Sequence, residues 1–249
     1  MAVLIEKPPK VKTFPVVEIF GPTIQGEGAE AGLACHFVRL GGCDFRCSWC
    51  DTMYAVEPAE VRRNSEHLSA KQIANRVGGL TGAPEWVVLS GGNPALHELG
   101  PLVEALQGAG KRVAVETQGS VWRDWLAEVD RLTISPKPPS SGMATHAHRA
   151  QLDHFMSKAL QGSVGRLALK IVCFEDADLF WAKEVASSWP ELDLYLSAGT
   201  PVPSPADLRG AVATRFRWLC EQVAADPELA RARVFPQLHV IAWADARGV

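Results

Sequence analysis

The run Cys35-His-Phe-Val-Arg-Leu-Gly-Gly-Cys43-Asp-Phe-Arg-Cys47-Ser-Trp-Cys50 decides how this chain is read. Cys35 to Leu40 is a short, mostly apolar segment closed by two glycines, which is the pattern of a buried strand running into a loop. Similar runs recur at Trp86 to Ser90, Arg112 to Thr117, Leu132 to Ser135, Leu167 to Cys173 and Leu192 to Ser197. Between them lie helical signals. Ser69 is suited to cap a helix through Val77, and Leu102 to Gln107 runs into Gly108 and Gly110. Ala177 to Ser188 and Ala211 to Ala225 repeat apolar residues at spacings of three and four. Strand and helix in alternation predict an α/β protein with a parallel sheet, closed as a barrel or open and doubly wound. Either way the loops at the carboxyl ends of the strands carry the active site.

Composition narrows the function. The chain has 249 residues, 47% of them hydrophobic and 21% charged, with Lys+Arg 25 against Asp+Glu 28 and a net charge of -3. No basic excess points to nucleic acid or an anionic membrane. No apolar run reaches the roughly 20 residues of a membrane span, and the stretch from Met1 is too short in apolar residues for a signal peptide. A cytoplasmic location and small-molecule chemistry are expected. Residues 1–14, with three prolines among the first 15, read as a flexible arm, and residues 15–249 as one domain.

Polar motifs gather at successive strand ends: Cys43 to Thr52, Ser90-Gly-Gly-Asn-Pro94, Glu116-Thr-Gln-Gly119 and Ser135-Pro-Lys-Pro-Pro139. The glycine-rich stretch Gly21-Pro-Thr-Ile-Gln25-Gly-Glu27-Gly28 precedes them. In a reducing compartment, three thiols this tightly grouped mean metal or redox chemistry rather than disulfides. They supply three corners of a metal site and leave the fourth open. A zinc site would draw on Cys35 or His36, and a four-cysteine cluster on Cys173 or Cys220. Cys173 ends the apolar run Leu167-Ala-Leu-Lys-Ile-Val-Cys and Cys220 sits in an amphipathic helix, so both read as core residues, as does Cys35. What remains is an iron–sulfur cluster with one iron open to a substrate or cofactor.

With Trp49 ahead of the last cysteine, Cys43-x3-Cys47-x2-Cys50 resembles the signature of the radical S-adenosylmethionine enzymes. The likeness runs from about Pro15 to the C-terminus. Pro15 to Gly28, Leu132 to Ser141 and Phe235-Pro-Gln-Leu-His239 together are similar to the 7-carboxy-7-deazaguanine synthase family. That resemblance implies an abbreviated (β/α)6 partial TIM barrel and a lyase reaction that converts 6-carboxytetrahydropterin to the deazapurine precursor of queuosine, with loss of ammonia. It also implies a 4Fe-4S cluster on Cys43, Cys47 and Cys50, S-adenosyl-L-methionine, Mg²⁺ on Thr52, an electron donor such as flavodoxin or ferredoxin, and a homodimer.

Carried over position by position, Ile24, Gln25, Gly26 and Glu27 would read the pterin edge, since an amide and a carboxylate match the donors and acceptors of an aminopyrimidinone. Arg39 would fork onto the substrate carboxylate, with Ser90 and His239 as further substrate contacts. Trp49, Cys50, Asp51, Gly92, Glu116, Gln118, Ser135, Pro136 and Lys137 would meet the cofactor. The chain departs from the common Gly-Gly-Glu at Asn93, which has no charge for the methionine amine. Two alternatives stay open: a radical activase acting on a partner protein, and a zinc-stabilised binding module.

Overall fold

The structure, a computed structural model, describes residues 11–162, 164–244 and 246–249. In chain order its elements are β1 (Thr13–Ile24), β2 (Ala34–Leu40), α1 (Pro58–Asn64), β3 (Glu66–Ser69), α2 (Ala70–Gly78), β4 (Trp86–Gly91), α3 (Gly100–Gly108) and β5 (Arg112–Thr117). There follow β6 (Arg131–Ile134), α4 (His146–Ala159), β7 (Leu167–Cys173), α5 (Asp176–Ser188), β8 (Asp193–Ala198), α6 (Leu208–Ala225), β9 (Arg233–Phe235) and α7 (Leu238–Trp243).

The strands form one sheet in the order β3-β1-β2-β4-β5-β6-β7-β8-β9. From β2 to β9 every neighbouring pair is parallel, while β1 runs antiparallel to both β2 and β3. The sheet is therefore an open partial barrel. Its six central parallel strands are the six expected ones, β9 adds a seventh, and β1 with β3 extends the opposite edge. Of the expected arm, residues 1–10 lie outside the described residues, and Thr13 and Phe14 belong to β1.

Period-two alternation sorts each strand between two faces. Val38 and Leu40 of β2, Val87 and Leu89 of β4, Val113 and Val115 of β5, and Leu167, Leu169 and Ile171 of β7 join one core beneath the helices. Their alternates turn to the concave face. There Cys35, Trp86, Val88 and Ala114 plug the amino-terminal end. Toward the carboxyl end the same face becomes polar, with Arg39 beside Ser90 and Glu116 beside Thr133 in register. Helix α2 begins as expected, with Ser69 and Gln72 forming a reciprocal capping box. Helix α4, absent from the sequence expectations, buries Leu152, Phe155, Met156 and Ala159. No helix among the described residues is long and apolar enough to cross a membrane.

Candidate active site

The concave polar rim encloses a cavity of about 630 Å³. Cys43, Cys47 and Cys50 line it, and all three thiols are free. Cys35 and Cys173 are buried elsewhere and Cys220 is partly exposed on α6, so none of the three reaches this wall. Burial pushes the Cys47 thiol up to about 11, against the pull of the Lys137 ammonium. Burial also raises Cys43. Among the described residues no three His, Cys, Asp or Glu side chains converge as ligands of a single ion. Three thiols from one short loop on the cavity wall can hold three corners of a cluster and leave the fourth to a ligand.

The cysteine loop is tied to the segment after β6. Ser48 N donates to Ser141 O at 3.0 Å, Ser48 Oγ to Ser140 O at 2.8 Å, and Trp49 Nε1 to Ser140 Oγ at 3.0 Å. Ser140 N in turn donates to Asp178 Oδ1 at 3.0 Å, and Asp178 Oδ2 accepts from Phe174 N at 2.8 Å. Asp178 is fully buried in the first turn of α5. Trp49 itself lies against Phe174, with ring centroids 5.0 Å apart.

Two glycines permit close approaches that build the rim. A Cβ on Gly92 would sit 2.2 Å from Gly42 O, so a side chain there would push the ends of β2 and β4 apart. A Cβ on Gly26 would sit 2.1 Å from His239 Nδ1, which lets the 25–27 loop pack on the C-terminal segment. Leu238 N donates to Gly26 O at 3.1 Å across the same seam.

Most of the sequence-derived site residues meet here. Ile24, Gln25, Gly26, Glu27, Arg39, Trp49, Asp51, Thr52, Ser90, Gly92, Glu116, Gln118, Lys137 and His239 all line the cavity. Ser135 and Pro136 do not: Ser135 is buried and accepts from Lys137 Nζ at 2.9 Å. Asn93 is not on the wall either. It is fully buried, donates to Asp44 Oδ1 and Ser120 Oγ, and accepts from Thr117 Oγ1 and Ala95 N. Its amide is a structural hub under the rim, so the missing Glu charge is not replaced by Asn93. Thr52 precedes the turn at Met53–Ala55 and its hydroxyl makes no capping bond there; it lies 3.6 Å from Cys50 Sγ. Arg39 Nε holds Glu18 Oε2 at 2.8 Å, and Glu18 also pairs with Arg247 from the tail. Gln118 Nε2 donates to Asp44 Oδ1 at 2.6 Å beside Cys43.

Among the wall residues with no counterpart in the sequence expectations, one is a charge buried within the sheet. Lys170 of β7 is buried, yet its ammonium lies between Glu27 and Glu116, 2.7 Å from Glu116 Oε1. Gln237 Nε2 donates to Glu27 Oε1 at 2.6 Å. Burial raises the Glu27 carboxyl, but Lys170 and then His239 outweigh it and hold the group at about 2. Burial opposes the Lys170 charge as well, and the two carboxylates overcome it and raise its affinity for the proton.

A partial barrel whose first parallel strand delivers three free thiols into a cavity at the strand ends defines a radical S-adenosylmethionine enzyme, and residues 37–140 match the Radical SAM superfamily. Along nearly its whole length the chain is 40% identical over 244 residues to the 7-carboxy-7-deazaguanine synthase of Bacillus subtilis, covering 96% of this chain and 99% of that one. It is 38% identical over 240 residues to the synthase of Bacillus cereus, covering 94% and 98% of the two chains. The fold matches the crystal structure of QueE from Escherichia coli with a TM-score of 0.66 at 20% identity, over 91% of this chain and 95% of that one. The chain belongs to the 7-carboxy-7-deazaguanine synthase family.

Proposed function

We propose that this chain carries out the ring contraction of 6-carboxy-5,6,7,8-tetrahydropterin to 7-carboxy-7-deazaguanine, with loss of ammonia, in queuosine biosynthesis. The observation that carries this reading is one cavity wall shared by the three cysteines, Arg39 and Glu27. When bound, the cluster and S-adenosylmethionine supply the one-electron chemistry that starts the reaction.

The chain's own residues do the rest. Cys43, Cys47 and Cys50 hold the cluster, and the anchored Trp49 and Ser48 fix the loop that carries them. Gly92, Glu116, Gln118 and Lys137 bind the cofactor, and Ser90, in register with Arg39, is a substrate contact. Across the cavity, ionised Glu27 accepts from the amino and ring N–H groups of the pterin, and Gln25 and His239 flank it. Arg39 receives the substrate carboxylate; with Nε already on Glu18, its terminal nitrogens make that contact. Tail residues Ala246, Gly248 and Val249 also line the cavity. Such a cover suits a small enclosed substrate and disfavours the activase alternative, which needs an open face for a protein loop.

The same reading assigns Mg²⁺ to Thr52, whose hydroxyl is free of the capping bond that would otherwise occupy it. Flavodoxin or ferredoxin as reductant, a homodimer and a cytoplasmic location complete the proposal. Anaerobic reconstitution followed by incubation with 6-carboxytetrahydropterin, S-adenosylmethionine, Mg²⁺ and reductant tests it by mass detection of the deazaguanine acid. An intact cluster that cleaves S-adenosylmethionine without forming the acid would overturn the substrate assignment.

A further inference from the structure

We infer that Lys170 is a positioning residue that sets substrate specificity, by holding Glu27 as a carboxylate so that the site accepts a 2-amino-4-oxo pteridine and rejects the 2,4-dioxo analogue. This rests on the reading of Glu27 as the pterin-edge contact.

The geometry supplies the argument. β7 is buried along its whole length, and Lys170 is its single charged residue, on the concave face between Ala168 and Val172. An ammonium in such a place must be paired, and this one is paired twice. It reaches Glu27 from the 25–27 loop and Glu116 from β5, two walls of the cavity that no backbone hydrogen bond joins. Glu27 Oε2 lies against the ammonium as an ion pair, and Oε1 takes one bond from Gln237. Oε2 is closed off from the cavity against the ammonium, and Oε1, with one bond from Gln237, keeps acceptor capacity toward a ligand.

The choice between pteridines follows from charge state. An ionised Glu27 only accepts, which fits the ring N–H and exocyclic NH₂ of a pterin. In a lumazine, position 2 presents an oxygen, and two acceptors would face each other. A protonated Glu27 would instead donate to that oxygen and lose the distinction. The charged groups facing Glu27 are Lys170 from β7 and His239 from α7, with Glu116 from β5 on the far side of the ammonium. Burial alone favours the protonated form, and Lys170 is the largest influence opposing it. With the folded carboxyl held at about 2, Glu27 remains ionised over the whole working range of pH.

The test is equilibrium binding of 6-carboxypterin and 6-carboxylumazine, read by pteridine fluorescence, to reconstituted enzyme and to cluster-free protein between about pH 5.5 and 8.5. The wild type is expected to prefer the pterin by about thirtyfold or more, the worth of one hydrogen bond to a charged group, with that ratio flat in pH. In Lys170→Met the ratio should collapse below about fivefold at the acid end and recover as pH rises, while Lys170→Arg keeps the wild-type profile. Should Lys170→Met fail to fold, Lys170→Met/Glu116→Gln removes one buried carboxylate with the ammonium and carries the same comparison. A flat, undiminished ratio in the Met variants alongside its loss in Glu27→Gln would overturn the role of Lys170. So would an acid limb in the wild-type ratio above pH 5.5. If Glu27→Gln itself keeps the wild-type ratio, the pterin-edge reading falls, which is a different result.

Discussion

Asp178 lies outside the cavity, yet the structure makes the cysteine loop depend on it. Its carboxylate accepts from Ser140 N and Phe174 N, and Ser140 carries the hydrogen bonds to Ser48 and Trp49 that seat the loop. Replacing Asp178 with Ala removes two hydrogen bonds to a charged acceptor, each worth about 1.5–3 kcal/mol, and leaves two backbone N–H groups without partners. Relief of the cost of burying the carboxylate offsets part of that sum. The net loss should be about 2–4 kcal/mol, a large share of the roughly 5–15 kcal/mol that stabilises an ordinary domain. Urea unfolding of cluster-free protein reads the global effect. Iron content after anaerobic reconstitution reads the local one, and should fall by more than half as the 138–141 segment loosens. Asp178→Asn keeps one acceptor oxygen but turns an NH₂ toward a backbone N–H, so it should lie between wild type and Ala. If Asp178→Ala lost less than about 1 kcal/mol and bound a full complement of iron, the chain of bonds from α5 to the cysteines would not be what holds the loop.

Three further outcomes are expected. Arg39→Ala should keep its iron and cleave S-adenosylmethionine weakly while product formation falls by two orders of magnitude or more, the usual scale for losing a bidentate charged contact to a reacting substrate; loss of the cluster would assign Arg39 to the fold instead. Thr52→Ala should retain cluster and basal turnover but lose most of the stimulation by Mg²⁺, and an unchanged Mg²⁺ titration would remove the hydroxyl from the ion's shell. Asn93→Ala, which leaves the Thr117 hydroxyl and Ala95 N without their acceptor and takes one of two donors from Asp44, should lower the stability of the cluster-free chain by about 2–4 kcal/mol; if stability were unchanged and S-adenosylmethionine affinity fell a hundredfold, Asn93 would be a cofactor contact after all.

The parallel core of the fold was legible because its strands are short apolar runs bounded by glycine, proline and polar loops, and because each is followed by a polar motif. The pieces that escaped have physical reasons. β9 is three residues, Arg233–Phe235, and β3 is Glu66–Ser69, both too short and too polar to show a period; they exist because a neighbouring strand offers its edge. α4 was a readable omission. Its buried residues 152, 155, 156 and 159 follow the i, i+3, i+4, i+7 stripe, but three histidines and a low overall apolarity masked it. For the site, most of the residues read from the motifs lie on the cavity wall, while many other wall residues, Tyr54 and Phe174 among them, belong to no such reading. Pro136 follows the core parity of Leu132 and Ile134, whereas Ser135 has the concave parity of Thr133 but is buried and accepts a hydrogen bond from Lys137, which takes the place on the wall; the motif alone states neither. Asn93 shows the same limit: its neighbours Gly91 and Gly92 face the cavity, while its own amide turns under them to four partners.

Lys170 marks where motif reading stops and elementary electrostatics would have gone further. The stretch Leu167-Ala-Leu-Lys-Ile-Val-Cys reads as a buried strand, and a charged residue at its centre was passed over as part of an apolar run. Burying an unpaired ammonium is so costly that such a lysine implies partners of opposite charge from other elements. Parity puts Lys170 on the face opposite Leu169 and Ile171, hence toward the rim where Glu27 and Glu116 were already placed. Two carboxylates and one ammonium on a concave wall constrain one another's protonation, and Glu27 is held low although burial alone pushes it up. On the proposed reading of Glu27, the recognition edge of the cavity is set by a residue in the sheet rather than in any of the loops, and the loop motifs carry the contact without the group that maintains its charge.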